Sequence, residues 1–172
     1  NSDGYDLTDP GQIEILMGGR EYEFVDPEIL PIDDAITVLK TGSKDWKKTP
    51  FSERKKILLD YADSLEENMI SAVYNVSNSA FKTLPNSIAE VREAVDFIRY
   101  YAEQAEKLYE NNECVSYTGE ENITTYEARG TWMVIAPWNF PIAIFVGPIV
   151  AALLSGNTVL AKSAPQTIDI AR

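Results

Sequence analysis

Two short stretches carry side chains whose types and spacing could do chemistry. In Pro137-Trp138-Asn139-Phe140-Pro141 an asparagine stands between two aromatic residues and two prolines, and in Thr158-Val159-Leu160-Ala161-Lys162 a lysine closes an apolar run. A side-chain amide can stabilise developing negative charge when it is held on a rigid mount, and Trp138 and Pro141 could supply one. The other reading of Asn139 is a helix N-cap with Pro141 in the first turn. A lysine at a strand end is either a solvated charge or a cation facing a ligand crevice. The single cysteine, Cys114, allows no internal disulfide, and the chain has no histidine to activate a thiol or bind zinc.

These groups need elements to position them. The run Thr131-Trp132-Met133-Val134-Ile135-Ala136 is continuous, apolar and of strand length. A proline-rich loop follows, then an apolar helix, a stop at Gly156-Asn157 and a second strand ending at Lys162. This is a β-α-β unit, in which the apolar helix is buried against a parallel sheet. Ligands of such sheets bind beyond the carboxyl ends of the strands, and Asn139 and Lys162 both fall there. The G-x-G-x-x-G fingerprint of many dinucleotide sites is missing, so spacing alone gives a ligand crevice and no cofactor.

Upstream, residues 1–31 read as an acidic, irregular lead-in or linker, and residues 32–110 as helical. Ile32-Asp33-Asp34-Ala35-Ile36-Thr37-Val38-Leu39-Lys40 forms a short amphipathic helix, and Ile57, Leu58, Tyr61 and Leu65 recur at helical spacing in a second. A third starts near Pro85, with Ile88, Val91, Val95, Ile98 and Ala102 on one stripe. Glu93, Phe97 and Tyr100 or Tyr101 share the spacing about half a turn away, which predicts a second buried side. Residues 111–129 are rich in β-branched and aromatic residues around Gly119-Glu120-Glu121 and read as a β-hairpin. Residues 130–172 are the start of the sheet domain.

Bulk properties narrow the function classes. The chain has 172 residues, is 45% hydrophobic and carries a formal net charge of −12, which suits a globular domain and argues against nucleic acid as a partner. The apolar stretch after Pro141, about 15 residues, is shorter than the roughly 18 to 20 that span a bilayer, and Gly147-Pro148 interrupts it. The polar start has no apolar signal segment and no initiating methionine, so a cytoplasmic portion of a longer polypeptide is expected.

The segments "PWNFP" and "AALLSGNTVLAKSAPQT" resemble the aldehyde dehydrogenase superfamily, whose pattern is P-W-N-F-P followed by G-N-x-V-x-x-K-P-(A/S)-E. "KTLPNSIAEVREAVDFIRYYAEQA" and the opening "NSDGYDL" resemble the pyrroline-5-carboxylate dehydrogenase half of bifunctional proline utilization enzymes. That half is several times longer than this chain, which would be its N-terminal portion with a truncated Rossmann-like NAD(P)-binding sheet. The hairpin would then be of the oligomerisation type.

The resemblance implies oxidation of L-glutamate semialdehyde to L-glutamate in proline catabolism. In that chemistry a cysteine thiolate attacks the aldehyde, an asparagine amide stabilises the oxyanion, a nicotinamide cofactor takes the hydride and a glutamate activates water. Asn139 corresponds to the asparagine; the nucleophile and the general base have no counterpart here. Lys162 matches the lysine that holds the cofactor's adenosine ribose, and Ile135, Pro137 and Trp138 match residues along the cofactor's path. NAD is the cofactor the resemblance implies, with NADP as the alternative; the glutamate that binds the ribose hydroxyls is replaced by Pro165, which implies a weaker grip on NAD. Glu93 and Phe97 match a substrate-side carboxylate and its adjoining ring; otherwise Glu93 pairs with Arg92 or Arg99 on an aromatic core face. Phe81 stands where the family usually has glycine.

FAD is implied only if a proline dehydrogenase half precedes the chain. The implied partners are the aldehyde and the rest of the dehydrogenase polypeptide, with a homo-oligomer when complete and a cytoplasmic location, peripheral at the inner membrane in a bifunctional enzyme. The alternatives are a dehydrogenase for another aldehyde and a non-catalytic remnant.

Overall fold

A computed structural model describes residues 1–18, 30–110 and 114–171. Six α-helices are found among them: α1 (Pro10–Met17), α2 (Ile32–Lys48), α3 (Phe51–Glu67), α4 (Met69–Ser79), α5 (Leu84–Glu110) and α6 (Ala143–Leu154). Two strands, β1 (Thr131–Ile135) and β2 (Thr158–Lys162), flank α6, and a 3₁₀ turn at Pro165–Thr167 follows.

The strands pair in parallel, from Thr131 opposite Thr158 to Ile135 opposite Lys162, so the expected β-α-β unit forms. Gly156, at φ 80°, ends α6 in a left-handed conformation open to glycine at no steric cost. The buried Asn157 then accepts the Gly130 N–H at 2.9 Å and ties the start of β1 to the start of β2. α2 and α6 both pack on β2, and Trp46 of α2 donates its indole N–H to the Leu153 carbonyl at 3.0 Å.

The core lies around α5, against which α3, α4 and α6 all pack. On α5 the stripe Ile88, Val91, Val95, Ile98 and Ala102 is buried, as its spacing predicts. The second side is only partly covered. Phe97 and Tyr101 stack at 5.7 Å and pack on the core, whereas Glu93 and Tyr100 are exposed. The inner face of α3 is Arg54, Leu58 and Ala62, with Leu65 packed beside it; Ile57 and Tyr61 lie outside. The helix is where its periodicity puts it, but Arg54, bound to backbone carbonyls, turns its buried face.

Three expectations need correction. The described part of the lead-in is not a linker: Asp9 caps α1 by accepting the Gly11 N–H at 2.8 Å, Pro10 occupies the first turn, and Leu16 is fully buried. Ser2 is also docked, its N–H on Asp96 at 2.9 Å and its carbonyl on the Arg92 guanidinium at 3.1 Å. The short helix at 32–40 extends to Lys48 through Gly42, around which space is open. Within 114–129 the chain reverses at a turn containing Gly119, with the Cys114 N–H on the Asn122 carbonyl at 2.9 Å and a single β-bridge at Ile123, but no longer ladder is found among the described residues. Val115, Tyr117, Ile123 and Tyr126 are exposed, and a two-stranded hairpin with no surface to pack on is marginal in water. Residues 111–113 of the expected hairpin lie outside the described residues.

Candidate functional site

α6 is almost wholly apolar, so its ends must be satisfied by other elements. Ile142 occupies its N-cap position and offers no side-chain cap. Glu90 of α5 does this instead: its Oε1 accepts the N–H groups of Ile142 at 2.8 Å and Ala143 at 3.4 Å. At the other end the buried Arg54 donates Nε–H to the Leu154 carbonyl at 3.1 Å and an Nη–H to the Thr49 carbonyl at 2.5 Å. A carboxylate at the amino end and a guanidinium at the carboxyl end match the sign of the helix dipole.

Asn139 therefore does not cap α6. It lies in the turn ahead of the helix, exposed, and its side chain makes no hydrogen bond among the described residues. Its backbone carbonyl accepts from Lys82 Nζ at 3.2 Å. Lys82 also pairs with Glu90 Oε2 and stands 4.1 Å from the Phe140 ring centroid.

A cleft of about 480 Å³ opens here, with Trp138 and Asn139 on one wall and Phe81, Lys82, Asn86 and Glu93 on the other. Glu93 has no ion pair among the described residues: Arg99 is taken by Asp63 and Glu66, and Arg92 by the Ser2 carbonyl. Phe97 does not line this cleft. Its ring packs where a Cβ on Gly147 would come within 3.1 Å, and it reaches instead a neighbouring cleft of about 760 Å³ shared with Glu93, Arg92 and Asp96. Glu93 thus touches both clefts, and Asn139 only the first.

Ile135, Pro137, Trp138 and Lys162 are all exposed at the carboxyl ends of the strands, Ile135 directly beside Lys162. Lys162 Nζ reaches only the neighbouring Ser163 carbonyl, at 3.2 Å, and Pro165 is exposed at the start of the 3₁₀ turn. The strand ends thus present an apolar strip that finishes in a cation. No carboxylate stands at position 165 to take ribose hydroxyls.

Residues 28–171 match the aldehyde dehydrogenase family. The chain belongs to that family. It is 41% identical over 140 residues to the Bifunctional protein PutA of Klebsiella aerogenes, covering 81% of this chain and 10% of that one. It is 40% identical over 119 residues to the 1-pyrroline-5-carboxylate dehydrogenase of Bacillus subtilis, covering 69% of this chain and 23% of that one. A mutant of the Thermus thermophilus 1-pyrroline-5-carboxylate dehydrogenase superposes with a TM-score of 0.86 at 28% identity, over 99% of this chain and 40% of that one. The chain thus spans about a tenth to a quarter of the curated relatives it matches, and it corresponds to the N-terminal part of the aldehyde dehydrogenase fold.

Within this aldehyde dehydrogenase portion, sequence reasoning singled out neither Lys82, in the loop ahead of α5, nor Glu90 on α5. Phe81, unexplained at the sequence level, has φ 54° and a side chain 90% exposed. Its position requires the left-handed conformation that glycine adopts freely. Cys114 is exposed, with Sγ 3.0 Å from Thr124 Oγ1, and lines neither cleft.

Proposed function

We propose that this chain supplies the oxyanion donor, one substrate wall and part of the cofactor crevice of an enzyme that oxidises L-glutamate semialdehyde to L-glutamate in proline catabolism. The observation that carries the reading is the cleft bordered by both the free amide of Asn139 and the unpaired carboxylate of Glu93. An amide with no protein partner is available to a carbonyl oxygen as negative charge develops on it. Glu93 is the acceptor for the amino group that this aldehyde carries, and Phe97, behind it, backs the substrate side through Gly147. The names of the relatives, PutA and 1-pyrroline-5-carboxylate dehydrogenase, favour this aldehyde over others.

When bound, NAD or NADP takes up the electrons of the oxidation. Ile135, Pro137 and Trp138 would hold it along the strand ends, Lys162 would face its adenosine ribose, and Pro165 would leave the ribose hydroxyls without a carboxylate partner. An FAD belongs to the picture only where a proline dehydrogenase half accompanies the chain.

The remainder of the dehydrogenase polypeptide would cover Trp132, Met133 and Ile135, which are exposed on β1, and Val115 and Tyr117 would meet a second subunit. Among the described residues no helix is long and apolar enough to cross a membrane. A cytoplasmic setting remains part of the proposal, with peripheral attachment at the inner membrane in a bifunctional form.

The test is a comparison of kcat/KM in the complete polypeptide for pyrroline-5-carboxylate and for propanal, in wild type and Glu93→Gln. A preference for pyrroline-5-carboxylate that shrinks in the variant supports the proposal. Equal use of both aldehydes by wild type contradicts it.

A further inference from the structure

Lys82 lies between the candidate oxyanion donor and the buried carboxylate that starts α6. Its ammonium donates to Glu90 Oε2 and to the Asn139 carbonyl at 3.2 Å and stands over the face of the Phe140 ring at 4.1 Å. Glu90, 1% exposed, is equally committed, with Oε2 on Lys82 and Oε1 on the Ile142 and Ala143 N–H groups. From these geometries we infer that Lys82 and Glu90 are positioning residues, a paired latch that fixes the backbone of Asn139 and so the direction of its side-chain amide.

The loop 137–142 has no regular structure of its own. It is tied at its middle by Lys82 and at its end by Glu90, and those two are tied to each other. Fixing the Asn139 peptide fixes the Cα–Cβ direction and leaves the amide free of protein partners, as a preorganised donor must be. The ammonium is paired with Glu90 and bonded to the Asn139 carbonyl, so Lys82, although it lines the cleft, acts through Asn139. A charged pair with one member fully buried and the other 14% exposed gives little net stability compared with apolar side chains of the same size. Its return is in geometry.

This inference rests on the proposed role of Asn139, and the experiment separates the two. In the complete polypeptide, kcat for pyrroline-5-carboxylate and KM for NAD are measured for Lys82→Met and Lys82→Arg, each with Asn139 intact and with Asn139→Ala, per folded enzyme. A misplaced reacting group costs up to about a hundredfold, so Lys82→Met should lower kcat by about 10- to 100-fold. KM for NAD should hold and Lys82→Arg should restore most of the rate. In the Asn139→Ala background the same Lys82→Met should cost less than about twofold, because the amide it positions is gone. If Lys82→Met does not fold, Glu90→Gln takes its place, keeping an acceptor for Ile142 while losing the charge that orders Lys82. Equal losses in both backgrounds, or no loss in either, overturn the latch. An Asn139→Ala enzyme with unchanged kcat overturns the role of Asn139 and the latch with it.

Discussion

Glu90 and Ile142 are 52 positions apart, and the Glu90 carboxylate accepts the Ile142 N–H at 2.8 Å as the cap of a helix that brings none of its own. With Arg54 on the Leu154 carbonyl, an apolar helix is held at both ends by charges from α5 and α3. The turn carrying Asn139 is thereby fixed against the part of the core that the α5 stripe builds.

Phe81→Gly should stabilise the fold. A non-glycine residue at φ 54° costs roughly 1–2 kcal/mol, and a side chain 90% exposed loses little packing on removal. Glycine's extra unfolded-state entropy offsets about 0.4–1 kcal/mol, so a net gain of about 0.5–1 kcal/mol is expected. Urea denaturation of both proteins checks it; a lower midpoint for Phe81→Gly would contradict the strain.

Glu66 predicts an acid-side loss of stability. Hydrogen bonds from Arg99, foremost, and from the Asp3 N–H hold its carboxyl below the usual range. A folded-state pKa below the unfolded one contributes stability that is complete above the ordinary carboxylate range and is lost as pH falls through the folded value. Wild type should therefore exceed Glu66→Gln in urea midpoint at pH 7, and the gap should close below about pH 4. A gap independent of pH would show that Arg99 does not bind the ionised form.

At the proposed cofactor crevice, Pro165→Glu should supply a carboxylate able to accept from ribose hydroxyls. Such bonds are worth roughly 1.5–3 kcal/mol, so NAD should bind about ten- to a hundredfold more tightly in the complete polypeptide. NADP should gain less, because a carboxylate repels its 2′-phosphate. Titration of both cofactors decides. Unchanged NAD affinity in a folded variant would mean that position 165 does not face the ribose.

Much of the fold was legible because it rests on local patterns. The β-α-β unit is written in two apolar runs, a Gly-Asn stop and a terminal lysine, and the inner stripe of α5 in its three-and-four spacing. α1 had its signal in Asp9-Pro10, hidden by the polar residues around it. α4 had Met69, Val73 and Val76 at helical spacing, diluted by serines and asparagines. Of the hairpin expected over 111–129, the described residues hold the turn and one bridge at Ile123 rather than an extended ladder, because β propensity expresses itself only against a packing surface. The family pattern singled out Asn139 and Glu93, but Lys82 and Glu90 were invisible: which charge is buried is decided by a helix end 52 positions away. Phe97 sits correctly on α5 yet behind Gly147, a contact that depends on how α5 and α6 approach one another.

On the proposed function, Asn139 donates its side-chain N–H to the oxyanion. In the complete polypeptide, kcat for pyrroline-5-carboxylate is measured beside the melting temperature for wild type and Asn139→Ala. Removing one such donor lowers kcat by about 10²- to 10³-fold, and the melting temperature should stay unchanged because the side chain bonds to nothing among the described residues. A variant with intact kcat and a lowered melting temperature would contradict the claim and return Asn139 to a purely structural role.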